Sequence, residues 1–191
     1  DVVKISNFTS LRSYPITPND LDLFYLNSHT NLNIGGGFFY WDALSTDADN
    51  NFETVKATSI TTGRFKRIIE ENTASIEQAG AFADNGVTNC TQAFLDVRDY
   101  FISNGGGTII IPNRGEDRFY ITNGEARGLA DYSNITITGG GKMYIDEIAS
   151  TGVSTNSRSV FLNLGDGTTN FKMFDLDILV NKDAISDGSF K

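Results

Sequence analysis

The sequence predicts an all-β protein, and three observations carry that prediction. Most apolar residues fall in short runs that end in Gly, Asn or Asp, as strands do. Within several runs apolar and polar residues alternate, the period of a half-buried strand. A single stretch, from Thr88 to Gly105, has helical spacing. Many short strands with no further helix fit a β-sandwich or a β-solenoid.

Composition narrows the function classes. At 191 residues the chain can form one large domain or two small ones. The 14 Phe and 7 Tyr suffice for a real core, and a charged fraction of only 20% is not that of a disordered polyelectrolyte. A net charge of −9 gives no attraction to phosphates, which excludes nucleic acid and anionic membrane as partners. The densest basic stretch, "GRFKRIIEE", is offset by its own Glu70 and Glu71. One cysteine, Cys90, allows no internal disulfide. His29 and Cys90 together make no zinc set, so no metal or cofactor is expected. His29, in "LNSHTNLN", is expected to be a solvated loop residue. No apolar run approaches the ~20 residues of a membrane span. No signal peptide is visible, and the chain opens on "DVVKISNF" and closes on "SDGSFK", so it reads as a piece of something longer.

In chain order, residues 1–10 read as a short leading arm and 11–72 as a small β domain. That domain's strands are "DLFYL", "GGGFFYWD" and "GRFKRII", with Phe65 and Ile69 apolar in the last and "TDADNN" a polar turn. Aromatic runs between Gly and Asx clusters suggest a small antiparallel sheet. "SIEQAGA" bridges into the second region, 73–191. There Thr88 or Asn89 can cap a helix whose Cys90, Ala93, Phe94, Val97, Tyr100 and Phe101 form one stripe, with Gly105 as its stop. "GTIIIP" is apolar on both faces and is expected to be buried. "RFYIT", "NITIT", "KMYID", "SVFLNL" and "FDLDILV" follow as strands. Ile135 and Ile137 share a face, as do Val160, Leu162 and Leu164. In the last strand Phe174, Leu176, Ile178 and Val180 point one way, Asp175 and Asp177 the other.

Few residues suggest chemistry. Asp175 and Asp177 would leave one face together and could serve as general acid and base on a glycosidic bond. Any acidic alternating strand gives that spacing, so solvation of an outer face is the simpler reading, also for Asp146 and Glu147. Asp47, Asp49 and Asn51 start like a calcium loop, but Phe52 and Thr58 stand where Gly and Glu are required. The three Gly triplets lack the spacing of phosphate loops and suit tight turns. Asn7, Asn89 and Asn134 sit in glycosylation-type triplets that read as chance. Phe38, Phe39, Tyr40 and Trp41 could stack on sugar rings, but alternation makes half of them core. The catalytic residues stay unknown.

A solenoid explains the isolated helix. The first coil of stacked strands has an open apolar end, and the stripe of Phe94, Val97 and Phe101 can cover Ile109, Ile110 and Ile111. The stretch "GAFADNGVTNCTQAFLDVRDYFISNGGGTIIIP" then resembles the opening segment of the pectate-lyase-like right-handed parallel β-helix superfamily. Gly80, Ala81, Asp84, Gly86, Val87, Thr88, Gly105, Gly106, Gly107, Thr108 and Pro112 fit its pattern. Asn85 is extra, and Asn89 and Cys90 replace an acidic pair. "GGGFFYWD…GRFKRII" is similar to the small β domain of bacteriophage tailspikes, through Gly35, Gly37, Phe39, Trp41, Asp42, Gly63, Arg64, Lys66 and Arg67, with Phe65 in place of Trp.

The resemblance implies a small β domain followed by a helix-capped right-handed parallel β-helix, cut short after its first coils. It implies a homotrimer on a virion tail, made in the host cytoplasm, with tail or baseplate proteins as neighbours. It also implies a parent that binds and depolymerises a host surface polysaccharide, capsule or O-antigen, while this piece serves assembly and orientation and is not active alone. A free bacterial polysaccharide lyase or hydrolase, and a non-catalytic adaptor, are the alternatives.

Overall fold

The computed structural model describes residues 1–180, except 18, 31, 124–128, 131, 147–162 and 165. It contains a five-stranded sheet and a solenoid of parallel strands, each with its own apolar core.

The sheet comprises β1 (Val2–Ile5), β2 (Leu23–Ser28), β3 (Gly35–Asp42), β4 (Thr54–Val55) and β5 (Arg64–Arg67), in the order β1-β2-β3-β5-β4. It is mixed where a purely antiparallel sheet was expected: β1 runs parallel to β2, and the other pairs are antiparallel. The first ten residues therefore join the sheet. They also start α1 (Phe8–Arg12), where Asn7 Oδ1 caps the Ser10 N–H at 3.0 Å and Phe8 and Leu11 are buried. Alternation sends Phe24, Leu26, Phe39, Trp41 and Phe65 into the core, each worth about 1.5–3 kcal/mol on burial. Tyr25, Phe38 and Tyr40 take the outer face.

The solenoid opens with β6 (Thr73–Ser75), a 3-10 turn at Ile76–Ala79 and α2 (Thr91–Ser103). One coil is β7 (Gly107–Ile110), β8 (Tyr120–Asn123) and β9 (Leu129–Ala130). The next is β10 (Ile135–Thr138), β11 (Lys142–Asp146) and β12 (Asn163–Leu164), and β13 (Lys172–Met173) and β14 (Asp177–Val180) begin a third. Equivalent strands stack as three all-parallel ladders, β6-β7-β10-β13, β8-β11-β14 and β9-β12. One strand per coil in each of three walls is a parallel β-helix and not a sandwich. The coils are unequal: Thr108 pairs with Thr136 and Thr136 with Lys172, so one takes 28 residues and the next 36.

Inside lie Ile109, Ile111, Tyr120, Ile135, Ile137, Met143 and Ile145. Ile110 is half-buried on the outer side, so "GTIIIP" alternates like its neighbours and is not buried throughout. The α2 stripe of Cys90, Phe94, Val97 and Phe101 is fully buried in the same cluster. The N-cap is Cys90, and Asn89 supports it by accepting the Thr91 N–H at 2.9 Å. The corners before β6, β10 and β13 are turned by Asn72, Asn134 and Asn170, left-handed at φ 53°, 59° and 54°. Asn170 Nδ2 donates to Asn134 Oδ1 at 3.0 Å and Asn72 Nδ2 to the Gly106 carbonyl at 2.9 Å, tying successive coils together. Val160, Leu162 and Glu147 lie outside the described residues, as does the Asp146 side chain.

Candidate functional site: the junction of small sheet and solenoid

Several buried charges among the described residues lie close to where the two parts meet. In "GRFKRII", Arg64 donates to the carbonyls of Asp47 (2.6 Å) and Gly63 (2.7 Å), closing the loop before β5. Lys66 Nζ reaches Asp47 Oδ2 at 2.6 Å, Thr54 Oγ1 at 2.7 Å and Glu53 Oε1 at 3.2 Å. Arg67 goes further, to the solenoid. Its guanidinium donates to the carbonyls of Phe52 (3.0 Å), Gly36 (2.7 Å) and Gln78 (3.0 Å), and lies 4.5 Å over the Phe39 ring. Burial brings its pKa down to about 9, so it stays a cation at neutral pH. No carboxylate accepts from it among the described residues; backbone dipoles of both parts solvate it instead.

Glu77, in the 3-10 turn, is the matching anion. It is buried, Arg114 grips both of its carboxylate oxygens, and Tyr120 Oη donates to Oε1 at 2.7 Å. Burial, the Glu77 hydrogen bond and the Glu77 charge all hold the Tyr120 hydroxyl far above its ordinary range. The Glu77 carbonyl meets β3 at Gly35, φ +72°, where a Cβ would stand 1.9 Å from the oxygen. This triplet glycine thus allows one backbone to touch another.

His29 belongs to the junction too, and is not solvated as expected. Its ring packs 4.4 Å from Phe8, its Nε2 lies 3.2 Å from the Asn51 carbonyl, and its buried Nδ1 has no hydrogen-bond partner. Burial lowers its pKa, as do the nearby Arg67 and Arg12 charges, against the Asn51 bond. Beside the junction a groove of about 660 Å³ is lined by Tyr25, Phe38, Ile68, Glu70, Glu71 and Gln78, among others.

The other sequence candidates serve structure. Asp175 and Asp177 do not share a strand: Asp175 turns the corner between β13 and β14 at φ 55°, and Asp177 starts β14. The paired-carboxylate geometry is absent there, and Phe174 faces solvent. Asp47 and Asp49, the start of the calcium-like string, pair with Lys66 and Arg12. Asn7 caps α1, Asn89 supports α2 and Asn134 turns a corner. Phe39 and Trp41 are core, while Phe38 and Tyr40 face out. Sequence reasoning passed over Glu77. Its signal was an acid inside the apolar "SIEQAGA", with Ser75 and Gln78 spaced as a capping box.

Residues 4–70 match the family described as phage tail protein small four-stranded beta-sheet domain. No curated protein matches the chain by sequence. Among solved structures, it is similar to tailspike gp49 of Acinetobacter baumannii bacteriophage Fri1, a capsular polysaccharide depolymerase, with TM-score 0.68 and 17% identity over 92% of this chain and 32% of that one. It is similar to the tailspike of Acinetobacter phage vB_ApiP_P1, with TM-score 0.64 and 10% identity over 93% and 29%. The enzymatically active domain of tailspike protein 4 from bacteriophage CBA120 aligns with TM-score 0.57 and 15% identity over 93% and 23%. The chain thus spans about a third or less of the tailspikes it matches. These likenesses give the fold: a small β domain followed by coils of a parallel β-helix.

Proposed function

Proceeding from a chain with the fold of phage tailspikes, we propose that it is the part of one that orients and assembles the β-helix, on a virion tail. The parent binds and depolymerises a host surface polysaccharide, capsule or O-antigen, as a homotrimer beside other tail or baseplate proteins. The observation that supports this reading is the use made of the buried ionisable groups. Arg67 ties the two parts through the Phe52, Gly36 and Gln78 carbonyls, Lys66 is held by Asp47, Glu53 and Thr54 inside the small domain, and Glu77, Arg114 and Tyr120 bond one another inside the solenoid, so each is engaged in holding the fold.

The test compares this chain with a longer one that extends through the remaining coils, on purified capsular polysaccharide. New reducing ends or unsaturated sugars are expected from the longer chain only. Cleavage by the 191-residue chain alone refutes the structural role, and a longer chain inert on every capsule and O-antigen offered refutes the depolymerase reading.

A further inference from the structure

His29 is the one histidine of the chain, and it sits where the two parts touch. It follows β2 directly, and its N–H donates to the Ile34 carbonyl at 2.8 Å to close the turn into β3. The ring is wedged between Phe8 of α1, 4.4 Å away, and the backbone of Gly80, where a Cβ would stand 2.6 Å from Cε1. A cavity of about 90 Å³ lies beside it, lined by Ile34, Glu77, Gly80, Phe82 and Thr88, among others. Nε2 is 3.2 Å from the Asn51 carbonyl, so in the neutral ring Nε2 carries the proton. Nδ1 is then a bare lone pair, buried and without a partner. A neutral ring leaves one acceptor unmet at modest cost. An imidazolium would bring a second N–H and a unit charge with nothing to accept them.

The charged groups around the ring offer no relief. Arg67 of β5 and Arg12 of α1 are cations. Asp49, in the loop that carries Asn51, is taken by Arg12. Glu77, in the 3-10 turn, is taken by Arg114 and Tyr120. Asp84, beyond the cavity, accepts from Val87 and Thr88. Burial first, and then the two arginines, oppose protonation of the seated ring. We propose that His29 is an acid-released latch: once protonated, its ring leaves the seat between Phe8 and Gly80, and the β2–β3 turn parts from the 3-10 turn of the solenoid. Arg67 is charged on both sides of this change, and its bond to the Gln78 carbonyl keeps the two parts tethered. The small sheet is thus locked to the coils at neutral pH and gains freedom on mild acidification. The sign follows from linkage. The released ring binds a proton near its ordinary 6.5 and the seated ring only below it, so acid favours release by up to about tenfold per pH unit between the two values.

The experiment is NMR of the 191-residue chain across about pH 7.5 to 5, a window around the ordinary imidazole pKa. With one histidine, the imidazole resonance gives its midpoint without ambiguity. Amide exchange, corrected for its intrinsic pH dependence, reads the latch at Phe8, whose N–H donates to the His29 carbonyl, and at His29 itself. The Ile111 amide, bonded to the Thr138 carbonyl, is the reference in the solenoid wall. A midpoint below about 6.5 is expected, with protection at Phe8 and His29 falling up to about tenfold per pH unit down to it and Ile111 unchanged. His29→Gln is expected to show a flat profile. Gly80→Ala, whose methyl takes the ring's seat, is expected to show the acid level of exchange already at neutral pH, with the imidazole midpoint back near 6.5. A low midpoint with flat exchange at Phe8 and His29 means a ring that titrates in its seat and overturns the latch. A wild-type midpoint at or above 6.5 overturns it as well, and so does parallel loss at Ile111, which marks unfolding of the whole chain. None of these results bears on the depolymerase reading, which concerns the remaining coils.

Discussion

Arg67 of the small sheet donates a hydrogen bond from Nη2 to the carbonyl of Gln78, at the start of the solenoid, across 3.0 Å. This bond, with those to Phe52 and Gly36, makes one guanidinium a shared member of both parts.

Arg67→Met strands three carbonyls and is expected to lower stability by about 3 kcal/mol or more, a fall in Tm of roughly 6–12 °C for a chain of this size. Arg67→Lys should recover only part of this, because a single ammonium lacks the planar fork that reaches three acceptors. Thermal and urea melts of the three proteins decide it; equal melts would show that the junction holds without the guanidinium.

Glu77→Gln leaves Arg114 and Tyr120 without their common carboxylate and is expected to cost about 2–3 kcal/mol. Tyr120→Phe should cost about 1 kcal/mol alone and less in the Glu77→Gln background, since the two share one bond. The double-mutant cycle by urea denaturation reads this coupling directly, and strict additivity would contradict the shared bond.

Gly35→Ala and Gly105→Ala test whether close approach or backbone conformation matters more. Both glycines have positive φ, +72° and +83°, but a Cβ at Gly35 meets the Glu77 oxygen whereas at Gly105 nothing lies within 4 Å. Gly105→Ala should cost only the left-handed penalty of about 1–2 kcal/mol. Gly35→Ala should cost clearly more and expose the 68–80 connection to protease, followed by mass spectrometry of the cleavage products.

Burial lowers the pKa of His29 below its ordinary 6.5. Between the folded and unfolded values the unfolded chain binds the extra proton, so this residue's contribution is full above about pH 6.5 and falls on acidification through that window. The wild type should therefore lose stability on acidification more steeply than His29→Gln, by up to about 1.4 kcal/mol per pH unit. Superimposable stability–pH curves for the two would refute a titrating His29 at the junction.

What could be read from the sequence follows from what local pattern encodes. The α2 stripe has helical period and a glycine stop, so Phe94, Val97 and Phe101 were identifiable as the lid over Ile109 and Ile111. The aromatic alternation in β3 marked half of its four rings as core, and the structure shows these to be Phe39 and Trp41. The corners were invisible, because a single left-handed Asp or Asn interrupts a strand without interrupting its apolar alternation. That is why Asp175 and Asp177 looked like one strand. The leading residues were read as an arm because β1 is four residues long and gains its place only from β2, a tertiary partner. Glu77, Arg67 and His29 were hidden for a related reason. Their roles depend on carbonyls, rings and side chains distant in sequence, and a one-dimensional pattern does not register such partners.

The unequal coils bear on how such a chain can diversify. Strand register in the walls is set by the ladders and the asparagine corners, not by how many residues lie between corners. A coil can therefore take up more or fewer residues between its corners while Thr108, Thr136 and Lys172 stay in line. Scaffold and loop then become separately variable, and a coil can be rewritten on its outside without renegotiating its walls.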